Sequence, residues 1–218
     1  MSIFSENCTF IIPARLGSKG LPFKNRDLVP ILLRSISSVP NKIIVTTDDT
    51  SIIEHLEKTS KENVIARTRP PELALDDTSM KDTILDVIDY YNIEGDLIIL
   101  YPTYPERSLA DIQDVYDFYI ENNLKSTLCS KETRTHPYMC LQKVGKIHAK
   151  PIFNHDLYRR QDYPSCFEIS HFVVVIDCKE VSSVNSQMYN GKTGFYNIED
   201  KIDVDYKKDY DLFKKGGA

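Results

Sequence analysis

The chain has 218 residues, 41% apolar, 27% charged and 10% aromatic, which suits a folded soluble chain with one core of ordinary size and excludes a mostly disordered one. A net charge of −5, from 27 basic and 32 acidic residues, argues against a general nucleic-acid binder and leaves room only for local basic clusters. No apolar run reaches the roughly 18 residues of a membrane span.

In chain order, Cys8–Ala14 (CTFIIPA) is a β-branched and aromatic run that predicts a buried strand, followed by the loop Arg15–Asn25. A helical patch around Ile31–Ile36, a strand at Lys42–Thr47 ending in Asp48-Asp49, and a short helix over Ile52–Lys61 come next. Arg69-Pro70-Pro71 breaks regular structure, and apolar residues at Met80, Ile84, Val87, Ile88 and Tyr91 predict a helix over Met80–Tyr91. Asp96–Tyr101 reads as a third strand. Ser108 and Asp111 form a capping box ahead of another amphipathic helix. Ser126–Ser130 and Phe172–Asp177 are further strands, while Thr133–Ser165 has no clear period.

Buried strands alternating with helices predict an α/β fold, a mostly parallel sheet flanked by helices, as one domain over 1–218. Residues 133–165 are the candidate small subdomain. Met1–Asn7 is polar and acidic, unlike a secretory leader. The five scattered cysteines read as buried reduced thiols, so the expected location is cytoplasmic.

Ligands of such sheets bind beyond the carboxyl ends of the strands. The loop after the first strand carries Arg15, Lys19 and Lys24 interleaved with Gly17, Ser18, Gly20 and Asn25. Three cations and close-approaching backbone suit a polyphosphate; a solvated basic turn is the plainer reading. The loop is neither GxxxxGK[ST] nor GxGxxG. Asp203 and Asp205, two apart in a stretch read as extended, would point the same way and offer oxygen ligands to Mg²⁺, unless they form a solvated edge.

IIPARLGSKGLPFKN (residues 11–25) resembles the signature loop of the CMP-sugar synthetases, above all the acylneuraminate cytidylyltransferases, of the form IPARxGSKGxPxKN. Along the chain, IIVTTDD (43–49) is similar to their VVSTDD, RPPELALDDTS (69–79) to RPxELAxDxxS, and YPTYPERS (101–108) to QPTSPLR. RRQDYP (159–164) looks like RxQxxP, and DKIDVDYKKDYDL (200–212) like xxIDIDxxxDL. The resemblance implies a Rossmann-like nucleotidyltransferase that joins CTP to a 2-keto sugar acid and releases pyrophosphate. It implies triphosphate contacts from Arg15, Lys19 and Lys24, and nucleotide contacts from Ala14, Gly17, Ser18, Asn25, Arg69, Thr78 and Ser79. Around the acceptor it implies Tyr101, Arg107, Arg160, Gln161 and His171, with Mg²⁺ on Asp203 and Asp205. A homodimer joined through residues 133–165 is also implied.

The departures cluster at the acceptor. Tyr101 replaces a glutamine, Glu106 a leucine and Met139 a lysine, and SHFVV (170–174) stands for NGAIY. These changes predict an acidic acceptor smaller or less hydroxylated than N-acetylneuraminate. Arg69 can also be read as a structural ion pair, and His171 and His136-Pro137 as structural. Two other functions stay open: a cytidylyltransferase for a phosphonate or phosphorylated small molecule, and a CTP-binding domain without catalysis.

Overall fold

The structure is a computed structural model that describes residues 4–59 and 61–216. Strands β1 (Thr9–Pro13), β2 (Ile43–Thr47), β3 (Val64–Thr68) and β4 (Asp96–Ile99) run parallel. Strands β5 (Ser126–Glu132), β8 (Phe167–Asp177) and β9 (Gly194–Asn197) complete a seven-stranded sheet ordered β3-β2-β1-β4-β8-β5-β9. β8 is antiparallel to both β4 and β5, while β9 is parallel to β5. A separate hairpin, β6 (Leu141–Val144) with β7 (His148–Pro151), rises from the segment without a clear period.

The two-residue pleat sorts the core onto both faces of the sheet. Phe10 and Ile12 of β1 pack with Val29, Leu32 and Ile36, with Ile52 and Leu56, and with Ile112, Val115 and Tyr119. Those residues come from α1 (Lys24–Ser35) and the turn after it, α2 (Thr50–Thr59) and α4 (Leu109–Glu121). Ile11 faces the other way, toward Ile84 and Val87 of α3 (Met80–Tyr91) and the 178–188 segment. Such double coverage is why β1, β2 and β4 read as continuous apolar runs.

The expected capping box of Ser108 and Asp111 is present. Ser79 caps α3, accepting from the Asp82 N–H. α1 begins at Lys24 rather than Ile31, and Pro30 lies inside it. The expected helix over Ile52–Lys61 is α2, though Ser60 lies outside the described residues, as does the start of the Met1–Asn7 segment. β3, β9, the hairpin and α5 (Lys207–Lys214) were not expected. β3 is only half-buried, β9 is four residues opening on glycine, and α5 has no buried residue.

The five cysteines are free; Cys8, Cys129 and Cys178 are buried, and Cys140 and Cys166 are half-buried. Among the described residues no helix is long and apolar enough to cross a membrane.

Candidate active site

Chain order reverses between β1 and β4, since β2 and β3 lie on one side of β1 and β4 on the other. Beyond the carboxyl ends of such a pair a crevice opens. Here it is a cleft of about 330 Å³ lined by Pro13, Arg15, Ser18, Lys19, Gly20, Lys24, Asn25, Arg69, Met80, Tyr101, Pro102, Thr103, Asp205 and Tyr206.

Carboxylates after β2 hold the first loop in shape. Asp48 Oδ1 accepts from the Leu16 N–H at 2.7 Å, and Asp49 pairs with Arg26 at 2.8 and 3.2 Å. Burial pulls the Asp49 carboxyl up, but the Arg26 hydrogen bond and the Ser51 and Ile52 N–H groups outweigh it and hold it below the usual carboxylate range. Asn25 donates to the Arg15 carbonyl at 2.8 Å, and its Oδ1 is buried without a partner. That leaves a fixed acceptor on a residue of the cleft wall. Before α1, Phe23 holds φ 59°, a left-handed conformation that costs a bulky residue about 1–2 kcal/mol. Gly20 packs so closely on the Asp205 backbone and the Tyr206 ring that a Cβ would collide with the Asp205 carbonyl oxygen. Gly17 faces open space, so closeness of backbone is required at Gly20 rather than at Gly17.

The cations divide by direction. Arg15 and Lys19 both reach Asp76, at 2.7 and 2.8 Å, and hydrogen bonds from Lys19 and Arg15 hold its carboxyl below the usual range. Lys24 is buried and donates to Asp205 Oδ1 and to the Val204 carbonyl, each at 2.8 Å. It anchors the carboxylate segment against the first loop instead of standing free as the third triphosphate cation. Arg69 is buried, donates to the Thr46 carbonyl at 3.0 Å and leaves Nε unpartnered. Burial pulls its pKa down to about 10, with nearby Arg15 adding to the fall and Asp48 opposing it.

The 201–205 stretch is not a strand. The Asp205 N–H bonds the Asp203 carbonyl at 3.1 Å, a turn that sends one carboxylate toward Lys24 and the other inward. Asp205 is exposed and faces Lys24. Asp203 lies inward beside Thr103 and Tyr104, with Oδ1 buried and unpartnered. Burial, and to a lesser degree Asp205, pushes its carboxyl up, opposed by hydrogen bonds from Thr103 and Tyr104. An orphaned carboxylate oxygen beside a second carboxylate fits a divalent cation completed by phosphate and water. Among the described residues no group of three or more acidic, His or Cys side chains is placed to hold a metal ion.

Several expected site residues lie off the cleft wall. Ala14 is wholly buried, its carbonyl accepting from Thr47 Oγ1 and its N–H bonding Thr46. Thr78 Oγ1 donates to the Glu72 carbonyl, and Ser79 is spent on its cap. Arg107 is a correction: it is buried, and its guanidinium donates to the Phe172 carbonyl and, at 2.9 Å, to that of Tyr101. Val174, which stands where NGAIY ends in tyrosine, is a core residue. His171 packs on the Tyr101 ring at 5.2 Å, its Nε2 3.1 Å from the Gln187 carbonyl oxygen; burial lowers its pKa. Arg160 and Gln161 are exposed, in a 3₁₀ turn, and neither lines the cleft. Asp76, Thr103 and Tyr206 were not singled out as site residues. Asp76 was visible inside the RPPELALDDTS match, whereas Thr103 and Tyr206 had no chemical signal beyond lying next to motif residues.

Three comparisons bear on this cleft. Over 212 residues the chain is 26% identical to the N-acylneuraminate cytidylyltransferase of Streptococcus agalactiae serotype III (strain NEM316), covering 92% of this chain and 51% of that protein. It thus spans about half the length of the streptococcal relatives it matches. It is 24% identical to the CMP-N,N'-diacetyllegionaminic acid synthase of Legionella pneumophila (strain Philadelphia 1), covering 94% of each chain. Its fold matches a CMP:2-keto-3-deoxy-manno-octonic acid synthetase complexed with CTP at a TM-score of 0.69 and 15% identity, over 95% of this chain and 97% of that one. That likeness supports the mostly parallel, helix-flanked nucleotidyltransferase fold. Residues 9–215 match the family model described as cytidylyltransferase, and the chain belongs to that family.

Proposed function

We propose that the chain transfers CMP from CTP to the anomeric hydroxyl of a 2-keto sugar acid. The acceptor oxygen attacks the α-phosphorus, the bond from that phosphorus to the oxygen bridging to the β-phosphorus breaks, pyrophosphate leaves, and the hydroxyl proton passes to solvent. The observation that carries this reading is that Arg15, Lys19, Asn25, Arg69 and Asp205 line one cleft at the reversal point of the sheet.

Arg15 and Lys19 neutralise charge that grows on the leaving pyrophosphate. Asn25 Oδ1 accepts from a ribose hydroxyl or the cytosine amine. Asp203 and Asp205 would hold Mg²⁺, which when bound supplies positive charge to the α-phosphate and leaving group. Lys24 keeps Asp205 in place for it. The Tyr101 ring, braced by His171, narrows the cleft beyond β4 and favours a compact acceptor.

The chain acts in pairs in this proposal. Residues 133–165 expose Met139, Leu141, Ile147, Ile152, Phe153 and Tyr158, apolar groups that a second copy of the chain would cover. Arg160 then serves the partner's cleft, which accounts for its absence from the lining of its own.

The test is pyrophosphate release with Mg²⁺ and each of CTP, UTP, ATP and GTP over a panel of acceptors. Turnover confined to CTP, with shorter keto-sugar acids ahead of N-acetylneuraminate, is expected. Turnover only on a phosphonate would move the acceptor class. CTP binding without release on any acceptor would leave a nucleotide-binding domain.

A further inference from the structure

The two cations assigned to the triphosphate already share an anion from this chain. Arg15 Nη1 lies 2.7 Å from Asp76 Oδ1 and Lys19 Nζ 2.8 Å from Asp76 Oδ2, so one carboxylate engages both cations through both of its oxygens. Arg15 Nη1 also reaches the neighbouring Leu75 carbonyl at 3.4 Å. Asp76 stands between the 3₁₀ turn Pro71–Leu73 and the Ser79 cap of α3, so the bridge ties this segment to the first loop. Its side chain is 50% exposed, and nothing in the core holds it in place. Carboxylate and polyphosphate cannot both occupy Arg15 and Lys19 without like charges meeting at contact distance.

We propose that Asp76 is a displaceable internal anion. In the nucleotide-free chain it occupies Arg15 and Lys19 in place of phosphate, and polyphosphate binding exchanges it for phosphate oxygens and releases the 71–79 segment from the first loop. This rests on the reading of Arg15 and Lys19 as polyphosphate ligands. Two consequences follow. Asp76 weakens binding of every polyphosphate, because each must displace it. It also competes with pyrophosphate for the cations after transfer, which speeds product release.

Inorganic pyrophosphate, titrated calorimetrically against the full chain, separates the two layers of the argument. Wild type should bind, Arg15→Ala should lose most of that affinity, and Asp76→Asn should bind about three- to tenfold tighter, the scale expected for removing exposed ion pairs. Asp76→Glu, which keeps the charge, should return affinity toward wild type; a merely structural Asp76 would give no tightening. Amide exchange over residues 71–79 should rise when pyrophosphate binds wild type, and should be raised already in Asp76→Asn. Loss in Arg15→Ala with no tightening in Asp76→Asn would overturn the exchange and leave the phosphate reading standing. Failure of wild type to bind, or indifference to Arg15→Ala, would remove the phosphate reading and the exchange with it.

Discussion

The wall of the cleft and the arm over residues 133–165 are built on opposite terms. Around the cleft, β1, β2 and β4 are buried on both faces, and the first loop and the 203–206 segment are fixed by side chains of the same chain: Asp48 on Leu16, Asn25 on Arg15, Lys24 on Val204 and Asp205. In the arm, all eight residues of β6 and β7 are exposed. A two-stranded hairpin is marginal in water unless something packs on it. What braces the arm within the chain is a cluster of rings, with His155 stacked on Tyr138 at 4.2 Å and His136 Nε2 2.9 Å from the Pro164 carbonyl oxygen. The nucleotide side is therefore braced within one chain, whereas the arm leaves its apolar surface for the second copy proposed above.

The sharpest way to break this contrast is at the cleft's tightest contact. Gly20→Ala places a methyl group against the Asp205 carbonyl oxygen and 3.2 Å from the Tyr206 ring, so backbone must move. The easier part to move is the 203–206 turn, which is held by Lys24 and by the Val204 N–H to Thr103 carbonyl bond. Displacing Asp203 and Asp205 by even 1 Å should lower turnover about 100-fold. The apparent Mg²⁺ requirement should shift to higher concentration. Steady-state rates over a Mg²⁺ series check this, with thermal melting to show that the chain still folds. Wild-type rates would mean that the approach of Gly20 is incidental to the site.

What could be read from the residues follows from what local pattern encodes. α3 has the predicted bounds Met80–Tyr91, because a 3.6-residue apolar period and a Ser79 cap are both written locally. The sheet and its first loop were legible because a strand covered on both sides is an unbroken apolar run. Side-chain direction was not. Lys24 turns inward because the 203–206 turn offers it a carbonyl and a carboxylate, partners 180 residues away. Asp203 and Asp205 diverge because a tight turn replaces the extended stretch whose two-residue period would have aligned them. Arg107 was misplaced for a similar reason. The pairing of β5 with β8 jumps from Thr127 opposite Val175 to Cys129 opposite Ser170, which leaves the Phe172 carbonyl outside that ladder for the guanidinium to take.

Arg107 gives the next largest effect and sharpens the line between wall and interior. Arg107→Met keeps much of the buried volume but leaves the Phe172 and Tyr101 carbonyls without their donor. Unpaired buried acceptors should cost about 2–4 kcal/mol together. Urea denaturation should show that loss, while the KM for the acceptor in the surviving folded enzyme changes little. A large rise in KM with unchanged stability would restore Arg107 to the acceptor site.

The smallest effect on the nucleotide side should come from the arm, and that smallness is the prediction. Ile147 is 86% exposed and Tyr158 95% exposed, so replacing both with Asp removes little intrachain packing. Light scattering should show wild type as the proposed dimer and the double variant as a monomer, with CTP affinity within about twofold of wild type. Turnover should fall, because Arg160 of each chain is proposed to serve the other's cleft. Mixing subunits makes that decisive. Arg160→Ala and Asp203→Asn chains, each inactive alone, should regain about a quarter of wild-type activity when co-folded in equal amounts, since half the dimers are then mixed and each holds one intact site. If wild type is a monomer at high concentration, or the mixture stays inactive, Arg160 acts within its own chain or not at all, and the arm's apolar surface serves something other than the transfer reaction.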